Sequence, residues 1–243
     1  MPVKLDSQAL FWHVRGMRSL GQRKPDSAPC GLKTCVYVVD DDPDVRRAVS
    51  RLLRASGHAC RVFDNARAYL EAALEPFDAA CLVLDIRMPE ITGTELQGRL
   101  QGTDHDVPIV FVTGHGDIPT CVKALKAGAL SFLTKPFDEA SLLGAVEEAL
   151  GRSAEITEAR ASALNALARY ATLSRREGDV FALVVRGLLN KQVAAELHIA
   201  EKTVKVHRAR VMRKMGASSL AQLVRLSQRL PAGTLNAGEC LHG

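Results

Sequence analysis

The sequence predicts an α/β domain with a doubly wound, five-stranded parallel sheet at residues 35–150, followed by a small all-α domain at residues 173–230. In the first region, short apolar runs alternate with windows of helical periodicity, and polar residues follow the runs. Strands that are apolar along their whole length are typical of parallel sheets covered by helices on both faces. In the second region, four short windows of helical periodicity follow one another.

Composition excludes several classes of protein. The chain has 243 residues, of which 47% are hydrophobic and 24% charged, as in ordinary globular proteins. No apolar run approaches the roughly 18 residues of a transmembrane helix, so we expect a cytoplasmic protein without a membrane partner. The six cysteines have no C-x-x-C spacing, which argues against metal fingers and thioredoxin-type redox sites.

Charge is divided between the two predicted domains. Residues 35–150 carry 11 Lys and Arg against 18 Asp and Glu, a net charge of −7. Residues 173–230 carry 12 against 4, a net charge of +8. The basic region is a candidate for nucleic-acid binding, although composition alone is equally compatible with a solvated basic surface.

Each element of the first domain has its own signal. The apolar runs predict strands at Cys35–Val39, His58–Phe63, Ala80–Leu84, Pro108–Val112 and Leu130–Leu133. Helical periodicity is seen after the first strand and near 65–74, 93–101, 117–127 and 138–151. For the flanks we predict a disordered extension at 1–34, a helical connection or linker at 151–172, and a C-terminal tail at 231–243.

Polar residues stand at four of the predicted strand ends. They are Asp40, Asp41 and Asp42 after the first strand, Asp85 after the third, Thr113 after the fourth and Lys135 after the fifth. Ligands of doubly wound sheets bind at the carboxyl ends of the strands. Clustered carboxylates need a cation, and oxygen ligands favour Mg²⁺, so the pattern predicts a site that carries a phosphoryl group on a carboxylate. Helix capping is the alternative for the acids near the first helix, and we expect it to hold for Asp44.

Four strings resemble the receiver domain of two-component response regulators. They are Val39-Asp40-Asp41-Asp42, Leu84-Asp85-Ile86-Arg87-Met88-Pro89, Val112-Thr113-Gly114 and Lys135-Pro136-Phe137. The resemblance covers residues 35–150 and implies a flavodoxin-like fold. It implies that Asp85 is phosphorylated by a sensor histidine kinase, and that Asp40, Asp41, Asp85 and the backbone carbonyl of Arg87 bind Mg²⁺. It also implies that Thr113 and Lys135 contact the phosphoryl oxygens, and that Phe132 is a switch aromatic.

A charge-driven switch follows from that resemblance. Phosphorylation adds about −1.5 to −2 charges at Asp85. We expect Thr113 and Lys135 to move toward the new charge and Phe132 to turn into the space that Thr113 vacates. The face near 118–126 and Phe132 would then change, and homodimerisation through that face is the expected output.

The second domain begins with a capping box, Ser174-x-x-Glu177, that opens a helix ended by Gly187. We predict that Asn190 caps a second helix, that the third covers Glu201–Met215, and that Ser219-x-x-Gln222 caps a fourth. Along the third helix, Val204, Val211 and Met215 share one face. A basic face with small apolar residues lies opposite and suits the DNA major groove. Ala200, at the expected N-cap of this helix, is a weak capping residue.

The strings Leu188–Ala194 and Glu201–His207 make the region Leu173–Leu226 resemble the LuxR-type helix-turn-helix. A receiver followed by this module is the order of the NarL/FixJ group. The resemblance places Lys202, Thr203, Lys205 and Val206 at the groove. We take Lys191, Arg210 and Arg213 as phosphate contacts, and Ser219–Leu230 as a possible dimer helix.

Other classes of function remain alternatives. An aspartyl-phosphate phosphatase of the haloacid dehalogenase class needs D-x-D-x-T/V, whereas Asp44 stands at the fifth position here. A ligand-sensing LuxR regulator would need an apolar pocket domain. The main alternative is a LuxR-type regulator that works without phosphorylation. Otherwise we expect a transcription regulator that binds double-stranded DNA and RNA polymerase and that is not an enzyme, beyond slow loss of its own phosphoryl group.

Overall fold

The structure of the chain, a computed structural model, describes residues 33–72, 77–103, 106–114, 118–231 and 234. The extension predicted at 1–34 lies outside these residues except for Lys33 and Thr34, as does most of the predicted C-terminal tail. The strands are β1 (Thr34–Val39), β2 (Ala59–Phe63), β3 (Ala79–Asp85), β4 (Ile109–Thr113) and β5 (Ser131–Thr134). The helices are α1 (Pro43–Ala55), α2 (Ala66–Glu71), α3 (Gly93–Leu100), α4 (Ile118–Lys126), α5 (Glu139–Tyr170), α6 (Arg175–Val185), α7 (Asn190–Glu196), α8 (Glu201–Met215) and α9 (Leu220–Ser227).

The five strands form one parallel sheet in the order β2-β1-β3-β4-β5. The register pairs Val39 with Leu84 and Asp85 with Val112, so β1, β3 and β4 end at nearly the same level. The strand order reverses between β1 and β3, which places a crevice at the carboxyl ends of these two strands. The predicted fold class is confirmed for this domain.

Apolar residues of the sheet face two separate core layers. Tyr37 and Phe111 belong to one layer, whereas their neighbours Val36 and Val110 belong to the other. Helix α5 closes the second layer with Leu142 and the residues that follow it. Because both faces of the sheet are buried, its inner strands are apolar at successive positions up to the polar residues at their ends, which is the pattern seen in the sequence.

Helix α1 begins at Pro43, so Asp44, which we expected to cap it, lies inside the helix. Asp42, not Asp44, is the N-cap, and its carboxylate accepts hydrogen bonds from the N–H groups of Asp44 and Val45 at 2.8 and 3.4 Å. The prediction for Asp44 is therefore wrong. Pro43 explains the difference, because proline favours the first helical position and thereby makes the preceding residue the cap.

Helix α5 is continuous over 32 residues and includes most of the segment predicted as a connection. Asp138 caps it, and its first half covers the sheet, where the hydroxyl of the buried Ser153 accepts the N–H of Ala80 at 3.0 Å. Within the part of the chain that the structure describes, no helix combines the length and apolarity needed to cross a membrane.

Helices α6 to α9 pack around a separate core that includes Val180, Phe181, Val204, Met215 and Leu223. The capping box at α6 and the Ser219 cap of α9 are present as predicted.

Asn190 does not cap α7, as the sequence had suggested. Leu189 occupies the N-cap position, and its N–H donates to Oε1 of Gln192 at 2.8 Å. The side chain of Asn190 instead accepts a hydrogen bond from Arg208 of α8 at 2.9 Å. This contact between residues distant in sequence takes the asparagine away from its expected local role.

Candidate phosphoacceptor site and DNA-binding surface

The crevice at the carboxyl edge of the sheet brings together side chains from four strand ends. Asp40 follows β1, Asp85 ends β3, Thr113 ends β4, and Lys135 follows β5. Asp40 and Thr113 are fully buried, and Asp85 is 6% exposed. Parallel strands whose carboxyl ends lie at nearly the same level carry these groups to one place, as the sequence predicted.

Lys135 joins the two buried acids. Its Nζ lies 2.6 Å from Oδ2 of Asp40 and 2.7 Å from Oδ2 of Asp85. The second oxygen of each carboxylate accepts a backbone N–H, from Asp42 at 2.9 Å and from Arg87 at 3.0 Å. Both carboxylates are therefore held in fixed orientations by an ammonium group on one side and an amide on the other.

The same crevice has the composition of a divalent cation site. One carboxylate oxygen each from Asp40, Asp41 and Asp85 lies within 4.8 Å of the others, and Asp41 is exposed. Three carboxylates and one ammonium leave a formal charge of −2, which a divalent cation would neutralise. Carboxylate ligands with room for water fit Mg²⁺.

Burial and pairing shift two pKa values in this crevice. Burial raises the pKa of Asp40, and the nearby Asp85 adds to the rise, although the hydrogen bond from Lys135 opposes it. For Lys135, burial acts to lower the pKa, but its hydrogen bonds to Asp40 and Asp85 outweigh burial and raise it. The lysine therefore remains an ammonium group across the physiological range.

Sequence reasoning missed the close approach of α3 to the end of β3, which carries Asp85. A Cβ on Gly93 would overlap the carbonyl oxygen of Asp85, and the Gly93 N–H donates to the Ile86 carbonyl at 2.9 Å. Only glycine fits at this point. The signal available in the sequence was a glycine directly after the capping residue Thr92.

Two further polar residues were missed because their partners are on other elements. Arg46 of α1 donates to the backbone carbonyl of Asp40 at 2.6 Å and so braces the loop between β1 and α1. Gln97 of α3 is buried, and its amide donates to the carbonyls of Ala124 and Ala127 at 3.3 and 3.1 Å. It thereby attaches α3 to the C-terminal end of α4.

The predicted switch elements lie beside the crevice. Phe132 of β5 is half-buried against the first core layer, paired in register with Phe111. On the neighbouring helix α4, Val122 and Leu125 are 42% and 45% exposed. An apolar face is thus presented next to β5.

Helix α8 separates its core face from its charged face as predicted. Val204, Val211 and Met215 are buried, whereas the residues assigned to DNA are exposed. These exposed residues are Lys202, Thr203, Lys205, Val206, Arg210 and Arg213 on α8, and Lys191 on α7. Val206 is 45% exposed between basic neighbours, and Lys205 makes a 3.2 Å surface pair with Glu201. Ala200 is the N-cap and makes no capping hydrogen bond.

Comparisons with known proteins match both regions. The family model described as the response regulator receiver domain matches residues 36–147. The model described as bacterial regulatory proteins, luxR family, matches residues 171–227.

Relatives match along most of the chain. The response regulator protein TmoT of Ectopseudomonas mendocina is 45% identical over 198 residues, which cover 82% of this chain and 90% of TmoT. The transcriptional regulatory protein FixJ of Bradyrhizobium diazoefficiens is 42% identical over 201 residues, covering 83% and 97%. The solved structure of the response regulator StyR is 47% identical, has a TM-score of 0.71, and covers 81% of this chain and 99% of its own.

The fold and the site define a phosphoacceptor domain followed by a helix-turn-helix DNA-binding domain. Together with these matches they settle the class of the protein as a transcription regulator. The chain belongs to the two-component response regulators of the NarL/FixJ group, with a receiver domain and a LuxR-type DNA-binding domain.

Proposed function

We propose that Asp85 accepts a phosphoryl group from a sensor histidine kinase, and that Mg²⁺ is held by Asp40, Asp41, Asp85 and the carbonyl of Arg87. The contact of Lys135 Nζ with both Asp40 and Asp85 is the observation that carries this proposal. A bound Mg²⁺ would supply positive charge to the carboxylates and to the incoming phosphoryl oxygens. Asp85 is oriented for attack because Arg87 and Lys135 each fix one of its oxygens.

Phosphorylation changes the balance of charge around Lys135. The ammonium group now bridges two carboxylates, and a phosphoryl group on Asp85 would offer it a stronger and more extended anion. Thr113, buried at the end of β4, would donate to a phosphoryl oxygen. Phe132 would then turn toward the space beside Thr113, which alters the surface shared by α4 and β5.

The exposed apolar residues of α4 support homodimerisation as the output. Val122 and Leu125 lie on the helix next to β5, and burying them between two copies would favour association. Two linked copies would present two α8 helices to DNA, and so bind double-stranded promoter DNA more tightly than one copy does.

DNA recognition is assigned to the exposed face of α8. Lys202, Thr203, Lys205 and Val206 would lie at base edges, with Lys191, Arg210 and Arg213 at phosphates. Contact with RNA polymerase would follow on the promoter. We place the protein in the cytoplasm without a membrane partner, and assign it no metabolic reaction beyond slow hydrolysis of its own aspartyl phosphate.

Labelling with acetyl phosphate in Mg²⁺ tests the phosphoacceptor. Wild type should take up label and Asp85→Asn should not. Asp42→Asn is the matched control, because asparagine preserves the helix cap while removing a neighbouring charge. Failure of wild type to accept label from acetyl phosphate or a competent kinase would leave a regulator that works without phosphorylation.

Dimerisation is tested separately by sedimentation of the labelled protein. Val122→Glu should keep the label and lose the phosphorylation-dependent dimer. Leu164→Glu changes a leucine of α5 that is 49% exposed, and should keep both. Equal behaviour of the two variants would place the dimer contact elsewhere.

A further inference from the structure

The C-terminal ends of α5 and α8 exchange hydrogen bonds through two basic side chains. Arg169, near the end of α5, donates from its guanidinium to the carbonyl of Met215 at 2.8 Å. In the other direction, Nζ of Lys214 donates to the carbonyl of Thr172 at 2.8 Å. Arg169 also donates from Nε to Asn165 at 3.0 Å, one turn earlier in α5, which fixes the orientation of the guanidinium.

The end of α8 is shaped to receive this guanidinium. Met215 carries one of the last carbonyls of the helix, which have no partner within the helix itself. Gly216 follows in the left-handed region with φ of 67°, and a Cβ there would overlap the nearer terminal nitrogen of Arg169. A cation at a helix C-terminus is also favoured by the helix dipole.

We propose that Arg169 is a positioning residue for DNA recognition, which holds α8 at the angle that its base contacts require. The inference rests on the proposed role of α8 in the major groove. Arg169 lies on α5, whose N-terminal half packs against the sheet of the receiver domain. The residue that fixes the recognition helix is therefore carried by the helix that leaves the phosphorylated domain.

The distance of this contact from the groove residues predicts which kind of DNA binding, sequence-specific or non-specific, is weakened when the contact is lost. Helix α8 has 15 residues and is therefore about 22 Å long. A tilt of about 5° at its C-terminal end would move the groove residues by about 1–2 Å, which breaks hydrogen bonds that tolerate only tenths of an ångström. Phosphate contacts from the long side chains of Lys191, Arg210 and Arg213 adjust to such a shift, because these side chains can change rotamer. Loss of Arg169 should thus weaken sequence-specific binding more than non-specific binding.

The test uses the full chain treated with acetyl phosphate and Mg²⁺. The probes are a duplex selected by wild type from a random library and a random duplex of equal length. Arg169→Met should weaken binding to the selected duplex by about tenfold, leave the random duplex within about twofold, and keep the salt dependence of binding. Arg152→Met is the matched control, because it also removes one charge and one side-chain hydrogen bond from α5, to Glu155 at 3.0 Å, in the half of the helix that covers the sheet.

Two more variants keep the test decisive if Arg169→Met fails to fold. Gly216→Asn, which tolerates the left-handed backbone at this position, should displace the guanidinium with its Cβ and reproduce the loss on the selected duplex. Arg169→Lys keeps a cationic donor and should recover most of the affinity. Circular dichroism melting sets an assay temperature at which each variant is folded.

Three outcomes overturn the inference. Equal affinities of the Arg169 and Arg152 variants for the selected duplex would remove the positioning role. Equal losses on both duplexes, with a reduced salt dependence, would make Arg169 a phosphate contact instead. If wild type selects no duplex at all, the proposed function of α8 fails first, and the inference fails with it.

Discussion

The two functional regions hold their positive charge in opposite ways. In the receiver crevice, the Lys135 side chain is 19% exposed and bonded to two acids. On α8, Lys202 is exposed, and Lys205 makes only a surface pair with Glu201. A buried charge needs a partner of opposite charge within the fold, whereas water solvates an exposed charge until a ligand binds. Lys135 therefore stays paired with Asp40 and Asp85 unless Asp85 is phosphorylated, and the lysines of α8 would find their partners on DNA.

Replacement of the buried lysine tests this contrast with the largest expected effect. Lys135→Met leaves Asp40 and Asp85 facing each other without a cation, so we expect a loss of about 3 kcal/mol in unfolding free energy. Mg²⁺ should restore part of that loss, because it would neutralise the same carboxylates. Denaturant titration with and without Mg²⁺ measures both.

Lys202→Met is the matched control for this experiment. Its stability should change by less than about 0.5 kcal/mol, while binding to DNA weakens and its salt dependence falls. Equal stability losses for the two lysine variants would break the distinction between buried and exposed charge.

The second largest effect on stability is expected where Gly93 of α3 packs against the backbone of Asp85. Gly93→Ala puts a methyl group against the carbonyl oxygen of Asp85, and we expect it to cost about 2–3 kcal/mol. Gly98→Ala lies on the same helix with nothing within 4 Å of its new Cβ, and should stabilise by up to about 1 kcal/mol. Thermal unfolding of both variants measures the difference, which should vanish if α3 can shift away.

The DNA-binding domain contains one buried carboxylate, Glu177, which extends the comparison between buried and exposed charges to this domain. Glu177 is 3% exposed and lies 2.6 Å from Nζ of Lys214. The hydrogen bond from Lys214, with that from the Ser174 N–H, lowers the pKa of Glu177 to about 2 from its ordinary 4.5. A lowered pKa stabilises the folded state fully above about pH 4.5, and this stabilisation is lost as the pH falls toward 2.

Glu177→Gln should therefore destabilise the domain by about 1–3 kcal/mol at pH 7, and the difference from wild type should shrink below pH 4.5. Hydrogen exchange of the amides of α6 and α8 in the full chain separates this domain from the receiver. A difference that stays constant from pH 7 to 3 would contradict the ion pair.

The local features of the fold could be predicted from the sequence, and the contacts between distant elements could not. Apolar runs located all five strands to within a residue or two, and strand-end acids located the crevice, because parallel strands end together. Of the two candidate caps, Asp42 and Asp44, the wrong one was preferred from the sequence, although Pro43 was a usable signal. Asn190, Gln97 and Arg169 bond to partners 18, 27 and 46 residues away. Periodicity in a single sequence carries no information about such pairs.

The recognition helix offers the smallest and most specific test, since its N-cap is Ala200 and makes no capping hydrogen bond. Ala200→Ser would give the first turn of α8 a side-chain acceptor, and should stabilise the domain by about 0.5–1 kcal/mol. Ala161→Ser, in the exposed middle of α5, should be neutral or slightly destabilising, because serine forms helix less well than alanine. Thermal unfolding checks both. If the serine cap stabilises the domain without changing affinity for the selected DNA duplex, the start of α8 is already ordered by its packing on α6 and α7. If affinity also rises, the N-terminal end of α8 frays in the free protein and becomes ordered when DNA binds. DNA binding then includes an entropy cost for ordering this helix end, and the side chains of the buried crevice, which are already fixed, have no such cost.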